Sequence, residues 1–285
     1  MTAFFDRKVR VVVGPKSADG STLGVSIEDL RVTFAIEKTS ARHPNKAKVE
    51  IYNLDPDVAA IFESSERRNT IQLFAGYADD TALIFQGEIR KGRAKTIMNG
   101  PDRITRIEAS DGGDLYRSAR LNKSFGREVT AAQIIDEIGR SFGVRVSLPS
   151  DVVDAAGRLR FTQGYVANGR TADVLQVLGD TLGFDAYFED GALKFVSKNN
   201  DTGEQAVLLT PTTGLVDSPE KTNKGVNAIS LLNPRIRPRR IVKIETPDEV
   251  EGGFYRVQKV GHKGDSGYSN QYYTEFEAVQ IGGQG

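Results

Sequence analysis

Two stretches of this chain share one plan, and that plan limits what the middle of the chain can become. Residues 129–146 read Val-Thr-Ala-Ala-Gln-Ile-Ile-Asp-Glu-Ile-Gly-Arg-Ser-Phe-Gly-Val-Arg-Val, and residues 170–188 begin Arg-Thr-Ala-Asp-Val-Leu-Gln-Val-Leu-Gly-Asp. In each, a Thr takes the N-cap position, apolar residues recur at helical spacing, a Gly stops the helix and a strand follows. Thr130 and Gln133 fit a capping box, with Ile134, Ile135, Ile138 and Phe142 on one face before Gly143. After Thr171, residues Val174, Leu175, Leu178 and Leu182 repeat the pattern before Gly183. A hairpin closes the module, Phe184–Phe188 turning at Glu189-Asp190-Gly191 into Leu193–Val196. Neither unit carries catalytic chemistry, so the pair predicts a module that docks and assembles.

On either side the period changes from helical to two. Leu30, Val32, Phe34 and Ile36 alternate with polar residues, as do Ala47, Val49 and Ile51. Asp55-Pro56 starts a helix with Val58, Ile61 and Phe62 facing inward. Strands are predicted at Lys8–Val13, Thr70–Tyr77, Ala82–Arg90 and Arg103–Ser110. Asp111–Gly126 reads as a polar connection and Ser197–Glu204 as a polar linker. Further strands are predicted at Val207–Leu209, Ala228–Leu231, Ile241–Glu245, Gly253–His262 and Tyr272–Gln280, before a mobile tail from Gly282. The fold class is mainly β with an α/β insert. The expected domains are a β-barrel with a lateral helix over 1–117, the α/β module over 118–200 and a second β-barrel over 201–285.

Composition narrows the function. Across 285 residues, Lys plus Arg and Asp plus Glu are both 38. Zero net charge argues against a bulk electrostatic nucleic-acid binder. With no Cys, disulfides, thiolate catalysis and Cys-based zinc sites are excluded. No apolar run approaches the roughly 20 residues that span a bilayer, and Met1–Lys8 lacks a signal-peptide apolar region. Synthesis and folding in the cytoplasm, with no membrane association, are the expectation.

Candidate chemistry is sparse. Gly261-His262-Lys263-Gly264-Asp265-Ser266 holds the residue types of a Ser/His/Asp triad, but as neighbours in one turn. A triad needs separate elements to fix its geometry, so His262 reads as the end of a strand, with Asp265 and Gly267 shaping a turn. His43 precedes a Pro in a polar loop, and two His cannot make a His-rich metal site. Asp111-Gly-Gly-Asp114 lacks the alternating acids of a calcium loop, and Asp79-Asp80 reads as a hairpin tip. Gly179-Asp-Thr-Leu182 matches four letters of a peptidoglycan-binding LysM module, but near the end of a helix rather than at its start. Arg235, Arg237, Arg239, Arg240 and Lys243 form the sharpest charge feature. On an extended chain Arg235, Arg237 and Arg239 share one face; a solvated edge, an intersubunit or channel-lining row and phosphate binding are the readings in descending order.

Three segments carry a resemblance. They are Phe34–Thr39 with Pro44–Leu54 and the Asp-Pro helix start; the double helix–strand module with Asp190-Gly-Ala-Leu-Lys-Phe195; and Leu232-Asn-Pro-Arg-Ile236 leading to Gly253–Val257 and Gly261–Asp265. In their order they resemble the central baseplate hub proteins of contractile-tailed bacteriophages, the late control proteins and the N-terminal part of type VI secretion spikes. The resemblance also implies a small, often Gly-containing turn where Arg239-Arg240 stands. It implies two tail-tube-type barrels in one chain and a homotrimeric, pseudo-hexameric ring joining a hexameric tail tube to a trimeric spike. The partners would be the tail tube protein, the spike or puncturing protein and other baseplate proteins, with DNA only in transit through the lumen. The location would be the tail baseplate of a virion or tailocin. No enzymatic activity, catalytic residue, cofactor or metal is expected. The interface candidates are Arg235, Arg237, Arg239, Arg240 and His43. A tail-associated cell-wall hydrolase is the first alternative. A carbohydrate-binding module with aromatic platforms at Tyr165, Tyr187 or Tyr268 is the second.

Overall fold

The computed structural model describes residues 6–15, 24–40, 44–63, 69–78, 80–112, 119–197, 205–246, 252–267 and 269–281. His43, Asp79, Asp114, Tyr268, the linker after Ser197 and the tail from Gly282 lie outside the described residues. Two compact units result, one of residues 6–15, 24–110 and 205–281, the other of residues 111–197.

The first unit opens with β1 (Arg7–Pro15), β2 (Val25–Ile27), β3 (Val32–Thr39), β4 (Lys46–Tyr52), α1 (Pro56–Glu63), β5 (Asn69–Tyr77), β6 (Asp80–Asn99) and β7 (Asp102–Ser110). The second holds β8 (Arg120–Phe125), β9 (Val129–Thr130), α2 (Ala131–Phe142), β10 (Arg145–Ser147), α3 (Ser150–Arg158), β11 (Arg160–Phe161), β12 (Tyr165–Arg170), α4 (Thr171–Leu182), β13 (Phe184–Glu189) and β14 (Ala192–Ser197). The chain then completes the first unit with β15 (Val207–Leu209), β16 (Glu220–Lys221), β17 (Gly225–Leu231), β18 (Ile241–Ile244), β19 (Gly253–Asp265) and β20 (Tyr272–Gln280).

Thirteen strands of the first unit pair into one sheet, ordered β16-β17-β20-β19-β3-β4-β7-β6-β5-β1-β2, with β18 beside β19 and β15 beside β18. Its two halves meet where β3 and β19 run antiparallel, from Thr39 opposite Lys259 to Thr33 opposite Asp265. The period-two pattern puts Val32, Phe34, Ile36, Val49 and Ile51 into one core with residues of β1 and β5. Val226, Val242, Val257, Val260 and Phe276 form a second, separate core. The expectation of two closed barrels is not what the strand pairing gives: among the described residues the ladder stays open. Side chains bridge the gap in the first half instead. The Tyr272 hydroxyl of β20 reaches the carbonyls of Lys8 on β1, at 2.9 Å, and Gly76 on β5, at 2.8 Å. Arg7 donates to the Asp265 and Ser269 carbonyls and lies over the Tyr272 ring.

In the second unit the capping box at Thr130 and Gln133 is present, and Gly143 ends α2 in the left-handed conformation with φ 63°. Thr171 is a correction. Arg170 is the N-cap of α4 and makes no side-chain cap, while Thr171 is buried and its hydroxyl meets that of Ser141 at 3.1 Å. Arg170 instead grips Asp173 through two bonds of 2.9 and 3.0 Å. Ile61 is a second correction: Ala59 and Phe62 fill the inner face of α1, and Ile61 is 36% exposed. The stretch read as a polar connection contains β8, and β6 runs nine residues past the predicted Arg90 to Asn99.

Candidate functional site

The join of β3, β19 and β20 is where the chain's singled-out polar residues collect. Along the inner side of β19 the sequence runs apolar at Tyr255, Val257 and Val260, polar at His262, then reaches Gly264 beneath Phe34 and Tyr272. Thr274 on β20 is polar and buried opposite His262, and Lys38 on β3 is buried one step along, opposite Val260. This polar layer lies between the residues of the two cores and explains why they do not merge.

His262 is inside β19, 1% exposed, opposite Ile36 and Thr274. Its Nδ1 lies 2.9 Å from the Thr274 hydroxyl, which also accepts the Asn233 N–H at 3.0 Å. Burial, with the charges of Lys38 and Arg237 adding to it, pushes the ring down to about 3, so the imidazole is neutral. Asp265 turns to Arg31, bound at 3.2 and 2.8 Å, and caps its own turn by accepting the Gly267 N–H at 2.8 Å. Burial alone would raise the Asp265 carboxyl, but the Arg31 fork and the Gly267 amide outweigh it and hold the group below the usual carboxylate range. The Ser266 hydroxyl accepts the Val32 N–H at 2.9 Å. His, Asp and Ser therefore serve three different hydrogen-bonding tasks and do not form a catalytic relay.

The outward side of the same sheet is charged and paired. Lys263 bonds Glu275 at 3.0 Å, Lys259 meets Glu277 at 3.4 Å and Arg106 meets Glu50 at 2.8 Å. The bond to Glu275 holds the Lys263 ammonium above its ordinary value. A cleft of about 500 Å³ lies against this face, floored by Gly261 and lined by Glu37, Lys259, Lys263, Glu275 and Asp217. Alternating signs on neighbouring strands make a face that neither traps nor repels a polyanion strongly.

The arginine row is corrected. Residues 233–240 are not a strand but two successive turns, closed by Ile236 N–H to the Asn233 carbonyl at 3.1 Å and Arg240 N–H to the Arg237 carbonyl at 3.2 Å. Pro234 and Pro238 occupy the second turn position, which suits their fixed φ. Arg239 takes φ 71°, the left-handed value a type II turn demands of its third residue, where the resemblance implies a Gly. The turn is held on β19 by Arg239 N–H to the Val257 carbonyl at 2.7 Å and Val257 N–H to the Arg240 carbonyl at 2.9 Å. The side chains of Arg237, Arg239 and Arg240 donate to the carbonyls of Pro234, Ser40 and Gln205. Arg235 is exposed and lies 3.6 Å from Asp80. Tyr187 is buried and Tyr165 packs against Phe161 at 4.8 Å, so neither offers an open aromatic platform. Among the described residues no group of three or more His, Asp or Glu side chains is placed to hold a metal, and no helix is long and apolar enough to cross a membrane.

The family model described as baseplate hub gp41 matches residues 9–247. The chain belongs to the baseplate hub gp41 family. A search of curated proteins finds no match. Among solved structures, this baseplate hub family member is similar to the prophage MuSo2 43 kDa tail protein of Shewanella oneidensis. The TM-score is 0.65 at 9% identity, over 96% of this chain and 97% of that one. It is likewise similar to a tail protein of Neisseria meningitidis MC58, with a TM-score of 0.65 at 10% identity over 98% of each chain. The c3393 protein of E. coli, a type VI secretion component described as similar to T4 tail proteins gp27 and gp5, aligns with a TM-score of 0.55. The identity is 13%, over 88% of this chain and 73% of that one. At these identities the likeness is one of fold. The hub family places the chain among structural tail components of virions.

Proposed function

We propose that the chain is a non-enzymatic hub whose three copies form a pseudo-hexameric ring at the end of a tail tube, joining the hexameric tube to a trimeric spike. The observation that carries this reading is one continuous sheet wrapped on two separate cores. Each half is then a tube-type unit, so three chains supply six, and a threefold assembly can face a sixfold partner. On this reading the barrel units fall at 1–117 and 201–285, and each ladder left open in a single chain meets the next in the ring.

The outward face of β3, β4, β7, β19 and β20 would line the channel, its paired charges giving weak contact to DNA in transit. The tail tube protein, the spike and other baseplate proteins would be the partners, in a virion whose proteins are made in the host cytoplasm. Arg235, the exposed member of its set, together with Arg237, Arg239, Arg240 and His43, is proposed at contacts with neighbouring subunits. The test is copy number and position in a cryo-EM map of the assembled tail. Purified protein tested on peptidoglycan checks the non-enzymatic part: release of fragments that stops on His262→Ala would favour a hydrolase.

A further inference from the structure

We propose that the cleft between the start of β1 and the connection from β2 to β3 docks an acidic peptide segment of a partner protein, its carboxylates held by Arg7, Arg10 and Arg31. The site lies wholly within the β unit and does not depend on the ring reading.

The cleft opens where two ladders part. β1 pairs with β5 along its whole length, from Arg7 to Pro15, but with β2 only from Val11 to Val13. Past Ile27 the chain leaves β1 and turns toward β3. The space between is about 790 Å³, and Arg7, Lys8, Arg10 and Arg31 line it. Pockets that enclose a drug-sized ligand run to about 300–1,000 Å³.

Each of the three arginines is held by an aromatic ring. The guanidinium carbon of Arg7 lies 5.0 Å from the centre of the Tyr272 ring, that of Arg10 4.2 Å from Phe74 and that of Arg31 4.6 Å from Tyr52. Stacking fixes the guanidinium plane, and its N–H donors then form a fork that matches a carboxylate. Arg31 is fixed again by Asp265 through Nε and Nη2, and Arg7 by the Asp265 and Ser269 carbonyls through Nη1. Among the described residues the other donors have no acceptor: Nη1 of Arg31, Nε and Nη2 of Arg7, and the whole Arg10 guanidinium. The entropy of ordering these long side chains is spent in folding, so a ligand keeps more of each bond it makes.

The remaining charges decide between anions. Lys8 adds a cation, shared with the exposed Asp6. Glu28 and Asp29 also line the cleft, and among the described residues no cation pairs with either. A nucleic-acid strand, charged at every phosphate, would be repelled by these two carboxylates. A peptide can turn its own carboxylates to the arginines and its backbone N–H groups to Glu28 and Asp29.

The test uses the full chain with a fluorescein-labelled hexaglutamate peptide, read by anisotropy, and a short oligothymidylate of the same label. Hexaglutamate should bind saturably, one peptide per chain, and more tightly than the oligothymidylate. Arg10→Gln should weaken it about tenfold, the worth of a hydrogen bond to a charged group, with the melting temperature unchanged. Arg10→Lys should recover only part of the loss, since it restores the charge without the fork. Arg145→Gln, an exposed arginine of the other unit, should change nothing. Because the chain has no Cys, Thr81→Cys in the cleft lining should form a disulfide with a hexaglutamate peptide ending in Cys, and Arg145→Cys should not. This reads the position even if an Arg10 variant folds poorly. Absence of saturable binding, equal affinity in Arg10→Gln, or equal cross-linking at both cysteines overturns the proposal. Tighter binding of the oligothymidylate with the same Arg10 dependence overturns the peptide in favour of a nucleic acid.

Discussion

The hydroxyl of Tyr272 accepts the N–H of Gly76 at 3.0 Å, and this ties β20, the last strand of the chain, to β5 across the core. The same oxygen lies within bonding distance of the Gly76 and Lys8 carbonyls, one of which receives its proton. Burial raises the phenol far above its ordinary value, so the proton stays on. Tyr272→Phe keeps the ring packing on Tyr77, 5.2 Å away and edge-on, and removes only these bonds. The expected loss is about 1–3 kcal/mol, the cost of leaving buried backbone groups unpaired, read from urea unfolding midpoints. An unchanged midpoint would place the closing force elsewhere.

Gly264 lies where Phe34 and Tyr272 fold over the strand. A Cβ there would sit 2.3 Å from Phe34 Cζ and 2.9 Å from Tyr272 Cδ2. Gly264→Val should destabilise by about 1–3 kcal/mol through overpacking, and Phe34→Leu in the same chain should recover part of it. A double-mutant cycle measures the coupling.

His262 sets an acid limit. Its folded pKa lies below its unfolded value of about 6.5, so the unfolded chain takes up the proton first. The stability this neutral ring contributes is whole above the unfolded value and falls as pH drops toward about 3. The slope is at most about 1.4 kcal/mol per pH unit. Asp265, also depressed, loses its contribution at the acid end of that range. Guanidinium unfolding between neutral and mildly acid pH should show the slope, and His262→Gln should flatten its upper part; equal slopes in both proteins would contradict the buried neutral ring.

Arg235 and Arg239 should part company. Arg235→Glu replaces an exposed side chain and should leave the melting temperature within the scatter of surface changes. Arg239→Glu removes the donor to the Ser40 carbonyl at the seam and should cost about 1 kcal/mol, the net worth of such a bond. Equal melting temperatures would mean that the second turn does not brace the seam.

Much of the β pattern is legible because one side of each strand is buried. Val32, Phe34 and Ile36 opposite Val49 and Ile51 announce their register, and the capping box at Thr130 does the same for α2. What escapes reading has weak burial contrast. β8 buries one apolar residue, Leu121, and the outer part of β6 is half exposed. α3 has its start signal in Ser150-Asp151 after Pro149, but only Val152 and Ala156 face inward. Spacing of two among Arg235, Arg237 and Arg239 fits a strand face, yet Pro234 and Pro238 between them mark two turns, and that punctuation decides. Tyr272, Arg31 and Gly264 escape for another reason. Their partners are Gly76, Asp265 and Phe34, and contacts between residues so far apart in the chain leave no local periodicity.

The central claim is geometric, and a cryo-EM map of the assembled tail tests it most directly. The account predicts three copies of this chain in one ring around the axis, each contributing two sheet halves, between the last tube ring and the spike. Six copies in that ring, or a single copy off the axis, would contradict it.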